Sequence, residues 1–400
     1  METKDLSSTI LWDGTPLNSL IIPQLKLWER PRPYPLARNF HADSISEESY
    51  QWARERLQVS SYMDGKLRFN ETNEYAAWAY PTAPPDLLRL ICDANLWITV
   101  YDDVRDDQKY LAHKPTEATA LHEMLSSYYS IEPKRVPDEC LHNVRLRSIP
   151  ELIERMRDQG FSNDQLVQFI DSVRMFGGSI CSESQQDIEK RDLSLRDYIR
   201  ERRADIGADF YANLSAMISG SYPGPSLQKH PIIVEMNTTL RDFALLHNDV
   251  MSLPKEMLSG SCDCAMRYLW LEKGMSVQDA LYEVTDMALV AVDDFDNLCD
   301  LVELSDASPS DKRIMHHYAA GLRWHFSALA YWSCKTRRYR MDGIEIKFVT
   351  PIAKGPDKYG LRPRVAHLND TWRSRPPDTG RSSTSGDARP AMTPGNRGGR

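Results

Sequence analysis

The sequence predicts an all-α protein, a single large helical bundle, and three observations carry that expectation. From about residue 45 to 340, apolar residues recur at helical spacing in one segment after another, with almost no alternating strand patterns. Several segments are apolar on more than one face, which assigns them to a core rather than a surface. No period of roughly 20 to 50 residues repeats, which disfavours a stacked repeat array.

The elements follow in chain order. Residues 1–40 include the proline-rich stretch IIPQLKLWERPRPYPLARNF and read as an irregular arm, whose Trp28 and Tyr34 are placed to pack on a core or cover a cleft. ISEESYQWARERL opens with Ser and Glu, the chemistry of a capped helix start. PPDLLRLICDANLWITVYDD is an apolar helix with prolines at its entry. NDQLVQFIDSVRMFGGSI and SLRDYIRERRADIGADFYANLSAMISG both keep helical spacing. So do PIIVEMNTTLRDFALLHNDVMS, SVQDALYEVTDMALVAVDDFDNLCDLVEL and IMHHYAAGLRWHFSALAYWSCKTRRY. One domain over residues 41–349 follows. Residues 350–400, ending SRPPDTGRSSTSGDARPAMTPGNRGGR, have no periodicity and few apolar residues, and read as a disordered tail.

Composition narrows the function classes. A net charge of −8 argues against a general nucleic-acid binder. No run approaches the ~20 apolar residues of a membrane span. The start, METKDLSSTILWDG, lacks the basic and apolar regions of a secretory signal. The seven cysteines are odd in number and scattered, with only Cys262 and Cys264 close, which fits reduced thiols in a cytoplasmic protein.

Two polar clusters stand out from this apolar background. VYDDVRDD closes the apolar helix that begins near Pro85. On a helix Asp102 and Asp106 share a face, and Asp103 and Asp106 are three apart. Stacked carboxylates at a helix C-terminus oppose the helix dipole and need compensation. Arg105 and Lys109 at a surface could supply it. The apolar run LWITVY leading into the acids favours bound cations at a cavity rim instead. Carboxylates without thiols or imidazoles suit Mg²⁺. The second cluster is HNDVMSLPKEM, where Asn248, Ser252 and Glu256 follow at four-residue intervals. Each step rotates a helix position by only ~40° from the last, so a carbonyl, a hydroxyl and a carboxylate oxygen can reach one ion. A polar face with ordinary hydrogen bonds is the alternative, and the acidic cluster upstream weakens it.

Together DDVRD (102–106) and NDVMSLPKE (248–256) resemble the paired DDxxD and NDxxSxxKE motifs of class I terpene synthases of microbial type. The second pattern matches at every specified position. Arg202 in RERRADIG stands forty-six residues before Asn248, where that family keeps its diphosphate-sensing arginine. Arg338 and Tyr339 in WSCKTRRY match its C-terminal Arg-Tyr pair. The likeness spans residues of about 40–340 and leaves out the arm and the tail.

The resemblance implies the isoprenoid synthase type of helical bundle, with a central active-site cavity. It implies a substrate that is a linear isoprenyl diphosphate, most simply farnesyl diphosphate, cyclised to a sesquiterpene. Three Mg²⁺ ions, replaceable by Mn²⁺, would be held by Asp102 and Asp106 on one side and by Asn248, Ser252 and Glu256 on the other. Asp103 is a further candidate, and Asp107 is less well placed. Arg202, Lys255, Arg338 and Tyr339 would donate hydrogen bonds to the diphosphate, a role that suits the planar fork of arginine. Arg203 competes with Arg202 for the sensor role, and spacing favours Arg202. Asp205 would link the sensor to a helix break at Ile206 and Gly207, where glycine tolerates the kink. Trp97, Phe176, Phe210, Trp324 and Trp332 are candidates for a cation-stabilising pocket, against the plainer reading of core aromatics.

Three further expectations complete the picture. VDDFDN carries Asp293, Asp294 and Asp296, but its spacing is not DDxxD, and it reads as a solvated face. Pro254 lacks an N–H and clashes with the carbonyl of Val250, which predicts a bend or helix end at 250–254. The active species is a monomer or homodimer. The competing activities are cyclisation of geranyl or geranylgeranyl diphosphate, chain-joining prenyl transfer, and non-catalytic isoprenoid binding.

Overall fold

The computed structural model describes residues 8–106, 144–189, 194–218, 220, 222–260, 263–339 and 341–349, with backbone alone at 101–106, 144–147 and 177–189. Among the described residues the architecture is a helical bundle with two short strands. Four helices come first: α1 (Ala42–Arg56), α2 (Ser61–Phe69), α3 (Thr72–Ala79) and α4 (Pro85–Asp106). After them come α5 (Val144–Asp158), α6 (Asn163–Glu189), α7 (Leu195–Asp205) and α8 (Ala208–Ile218). The last four are α9 (Pro231–Ser259), α10 (Ala265–Lys273), α11 (Val277–Leu304) and α12 (Pro309–Lys335).

Capping chemistry explains several starts. Ser194, Ser276 and Ser308 each accept the backbone N–H of the residue three on, at 3.1 Å, and donate to its carboxylate. Each forms an aspartate version of the capping box, at the head of α7, α11 and α12. The expected start at ISEES is not used. α1 begins earlier, at Ala42, without a side-chain cap. Asn39 launches it instead: its carbonyl oxygen accepts from His41 N at 2.9 Å, and its amide donates to the Tyr80 and Ala83 carbonyls.

The 29-residue α9 is the central helix, packed by α7, α8, α10, α11 and α12 and by a 3₁₀ turn at Arg337–Tyr339. Its apolar residues face several directions, and Ile232, Ile233, Met236, Leu245, Leu246, Met251 and Leu253 are all buried, which is why it cannot sit at the surface. No helix among the described residues is long and apolar enough to cross a membrane.

The arm is more ordered than its prolines suggest. Residues Ile21–Leu25 form β1, which pairs in parallel with β2 (Glu345–Val349), Ile21 opposite Glu345 and Leu25 opposite Val349. The Gln278 side chain brackets Ile21, accepting its N–H at 2.8 Å and donating to its carbonyl at 2.9 Å. Leu17, Leu20, Ile22, Leu25 and Leu27 enter the core. Trp28 sits edge-on to Tyr331, and Tyr34 is buried against Phe295 and Phe326.

The VDDFDN cluster corrects the solvated-face expectation. Asp294 and Asp296 are buried, Asp296 at 4% exposure. Arg30 of the arm reaches Asp293 at 2.6 Å and Asp296 at 3.1 Å. Asp296 also takes a hydrogen bond from Tyr34 and an ion pair from Arg323 on α12. Buried carboxylates need such partners, and here the arm and α12 supply them. Arg32 adds a more exposed pair to Asp300 at 2.9 Å.

Candidate active site

Asn248, Ser252 and Glu256 lie on one face of α9, as their spacing predicts. Ser252 Oγ donates to Glu256 Oε1 at 2.6 Å, so the two side chains meet across one helical turn. Glu256 Oε2 is buried and has no hydrogen-bond partner among the described residues. Asn248 Nδ2 donates to the Tyr339 hydroxyl at 3.0 Å, which leaves its carbonyl oxygen as the group to face a cation. An unpartnered buried carboxylate oxygen beside a hydroxyl and an amide carbonyl is a hard-oxygen set that fits a divalent ion such as Mg²⁺.

Pro254 does not end the helix. α9 runs through it to Ser259 and stops at Gly260, whose φ of 85° suits glycine. An interior proline costs about 3 kcal/mol. Its neighbours Val250, Met251 and Leu253 are each at most 1% exposed. Burying three such side chains contributes roughly 1.5–3 kcal/mol apiece, enough to outweigh the proline. Glu256 is therefore delivered from continuous helix, and the ladder keeps its third rung.

The expected break between α7 and α8 is present. Gly207 adopts φ +71°, and a Cβ there would lie 3.7 Å from the Phe176 ring and 3.9 Å from Ile98. Ile98 is one turn before Asp102 on α4, so the break packs against the helix that ends in the acidic cluster. Asp102, Asp103 and Asp106 occupy the last turn of α4, and their side chains lie outside the described residues, as does all of Asp107. Arg202 closes α7 and forms an ion pair with the buried Asp205. Arg203 turns elsewhere: it makes a two-point pair with Asp242 of α9 at 2.5 and 2.8 Å. Past the break, Arg241 of α9 makes the same kind of pair with Asp209 at 2.8 and 2.6 Å. Two forked pairs thus fasten both sides of the break to α9.

Asp249 completes the fastening. It is 1% exposed, and its Oδ2 accepts from the Tyr198 hydroxyl of α7 and from the Ala265 N–H that opens α10, both at 2.8 Å. Burial pushes its carboxyl up to about 7, against the lowering effect of the Arg202 charge, with Glu256 adding to the rise.

Tyr339 is buried on the turn after α12 and meets Trp332 edge-on at 5.7 Å. Burial raises its hydroxyl pKa, so it stays protonated at neutral pH. Arg338 and Lys255 are half-buried beside these groups in sequence. From Trp332 an aromatic layer continues through Tyr75 to Tyr211, then to Phe210 and Phe169. His325 of α12 sits in this layer at 1% exposure, with Nδ1 2.9 Å from the Tyr75 hydroxyl and Nε2 2.6 Å from Ser215 Oγ. Burial lowers its pKa to about 3, so the imidazole is neutral.

Of the expected pocket aromatics, Phe176 lies at the break, Phe210 and Trp332 join the layer, and Trp97 is buried on α4. Trp324 is half-buried, and the ring contacts among the described residues do not reach it. Sequence reasoning missed Tyr75, Tyr211, His325 and Ser215. Each belongs to a different stretch of the chain from its partner, and no spacing signals the group.

Comparison with known proteins bears on the family and the fold. The family model described as terpene synthase family 2, C-terminal metal binding, matches residues 93–294, half of the 400-residue chain. Pristinol synthase of Streptomyces pristinaespiralis is 23% identical over 318 residues, covering 78% of this chain and 84% of its own. The 4-epi-cubebol synthase of Streptosporangium roseum, described as (2E,6E)-farnesyl diphosphate cyclizing, is 24% identical, covering 79% and 92%. Among solved structures, germacradien-4-ol synthase from Streptomyces citricolor superposes with a TM-score of 0.63 at 17% identity, covering 76% of this chain and 97% of its own. Linalool/nerolidol synthase from Streptomyces clavuligerus gives 0.64 at 17% identity, covering 76% and 99%. At these identities the structures attest the fold.

Proposed function

Because the chain belongs to terpene synthase family 2, we propose that it ionises farnesyl diphosphate and cyclises the carbocation to a sesquiterpene, releasing diphosphate. The observation that carries this reading is the α9 face, where Ser252 and Glu256 meet and one carboxylate oxygen has no partner among the described residues, with Asn248 hydrogen-bonded to a buried Tyr339. The farnesyl chain length is supported by the 4-epi-cubebol synthase among the relatives, which is described as cyclizing farnesyl diphosphate.

Asn248, Ser252 and Glu256 would hold Mg²⁺ on one side, and Asp102, with Asp106 and Asp103, on the other. When bound, the ions supply Lewis-acid stabilisation of the charge that develops on the departing diphosphate. The rest falls to the chain. Arg202, Lys255, Arg338 and Tyr339 donate to diphosphate oxygens, where charge grows as the C–O bond breaks. Asp205 holds the Arg202 guanidinium at the end of α7, so the fork is oriented before substrate arrives. At the break the Ile206 N–H stays on the Arg202 carbonyl and the Gly207 carbonyl takes the Phe210 N–H, and in this reading the break brings backbone carbonyl oxygen toward the ionising centre. Phe176, Phe210, Trp97, Trp332 and Trp324 offer ring faces that stabilise a cation without supplying a nucleophile.

We assign the catalytic unit to residues 41–349, with the arm as a structural strap and residues 350–400 outside the reaction. The enzyme acts in the cytoplasm, as monomer or homodimer. The test is incubation with geranyl, farnesyl and geranylgeranyl diphosphates plus Mg²⁺, with extraction and mass spectrometry. The expected result is a cyclic C15 product from farnesyl diphosphate alone. Turnover of none of the three, or a longer prenyl diphosphate formed with a second isoprenoid unit, overturns the proposal.

A further inference from the structure

The sequence between Asn248 and Ser252 carries a carboxylate that the reaction itself does not use. Asp249 is rotated about 100° from Asn248 on the helix, which turns it from the cation-facing edge into the protein. There one oxygen serves two other helices. Tyr198 Oη, on α7, donates to Oδ2 at 2.8 Å. Ala265 N, at the head of α10, donates to the same atom at the same distance. Tyr198 stands four residues before Arg202, on the same face of α7. Asp242, seven residues before Asp249 on α9, grips the same helix through Arg203. α7 is thus held along two turns of α9, and the second hold lies beside the first oxygen of the ladder.

We infer that Asp249 is a positioning residue: it fixes the rotation of α9 against α7, and so the placement of Asn248, Ser252 and Glu256 relative to Arg202. The inference rests on the functional reading above. A hydrogen-bonded pair at the junction transmits small errors directly. Removing it leaves the Arg203–Asp242 pair as the remaining hold, so α7 can shift against α9 at the ladder, and ligand oxygens and guanidinium then converge less well on one diphosphate. Partners that orient ligands act at this range, and losing one typically costs about 10–100-fold in affinity.

The experiment is calorimetric titration of inorganic pyrophosphate into the full-length protein at fixed Mg²⁺, with thermal melts and steady-state kinetics on the same samples. Asp249→Ala is expected to weaken pyrophosphate binding by about tenfold or more, at the lower end of that range. Asp249→Asn, which keeps an oxygen acceptor for Tyr198 and Ala265, recovers most of the affinity. Tyr198→Phe keeps the ring that packs on Tyr268 and loses only the donor, so its fold is safe and its affinity falls in the same direction. Combining Tyr198→Phe with Asp249→Ala adds little to Asp249→Ala alone, because both cut one link. Melting temperatures that drop while pyrophosphate affinity and kcat stay at wild-type values overturn the inference. If Asp249→Ala does not fold, Tyr198→Phe decides: wild-type affinity there sinks it. A wild-type protein that binds no pyrophosphate with Mg²⁺ overturns the functional reading and this inference with it.

Discussion

Acid should expose the neutral state of His325. Its pKa is lowered to about 3 by burial, against 6.5 for an unperturbed imidazole. The groups that face it are uncharged: Tyr75 and Tyr80 from α3 and the turn after it, Tyr211 and Ser215 from α8. A depressed histidine pKa means that the fold prefers the neutral ring. Above the unfolded value both states are neutral and nothing is lost. As pH falls below about 6.5, the unfolded chain takes up a proton that the folded protein refuses, and stability drops until pH approaches about 3. For one such group the loss between pH 7.5 and pH 5 is about 2 kcal/mol. His325→Gln keeps a donor and an acceptor but cannot titrate. It should be less stable than wild type at pH 7.5 by about 1 kcal/mol through poorer hydrogen bonds. That deficit should shrink by about 2 kcal/mol at pH 5 and change sign. Urea denaturation followed by circular dichroism, at constant ionic strength across this range, measures the difference. A deficit that is the same at pH 7.5 and pH 5 would show an imidazole that titrates normally in the fold, and would refute the reasoning.

Four other outcomes follow from the site and the arm. Asn248→Ala and Asp102→Ala should each lower kcat/KM for farnesyl diphosphate by about a hundredfold or more, since each removes an oxygen from the Mg²⁺ clamp; near-normal turnover in either would sink that metal assignment. Gly207→Ala should cost about 1–2 kcal/mol, because φ +71° strains an L residue while the 3.7 Å contact with Phe176 is ordinary; a melt unchanged from wild type would mean the break relaxes. Asp296→Ala should destabilise by about 3 kcal/mol in chemical denaturation, since Arg323 would lose its carboxylate partner and Arg30 would keep only Asp293. Tyr339→Phe should weaken pyrophosphate binding in calorimetry while leaving the fold intact, because the ring stays buried against Trp332 and only the hydroxyl's hydrogen bonding, to Asn248 and Ser333, is lost; wild-type affinity would remove it from the diphosphate site.

Local chemistry made part of this protein legible, and distance hid the rest. Asn248, Ser252 and Glu256 needed only the period of a helix, and the structure places Ser252 and Glu256 in contact. The break at Gly207 was legible only through the resemblance to class I terpene synthases, and glycine tolerates the φ of +71° found there. Pro254 misled because local chemistry was the wrong scale: burial of Val250, Met251 and Leu253 outweighs one proline. The strand at Ile21–Leu25 was invisible for a related reason, since its partner lies over 300 residues away and its neighbours include prolines. The acids of VDDFDN make the point most sharply. Their composition is close to that of the cluster at 102–106, and spacing set them apart from it. Spacing said nothing of their true role, because a carboxylate on a helix is solvated or buried according to what packs over it. Here that is Arg30 and Tyr34, some 260 residues earlier, with Arg323 from α12. The cluster at 293–296 meets arginines of its own chain and becomes a fastening for the arm. The side chains of the cluster at 102–106 lie outside the described residues, so its assignment to cations rests on the proposed function: like charges at a helix C-terminus oppose the dipole, and Mg²⁺ would compensate them.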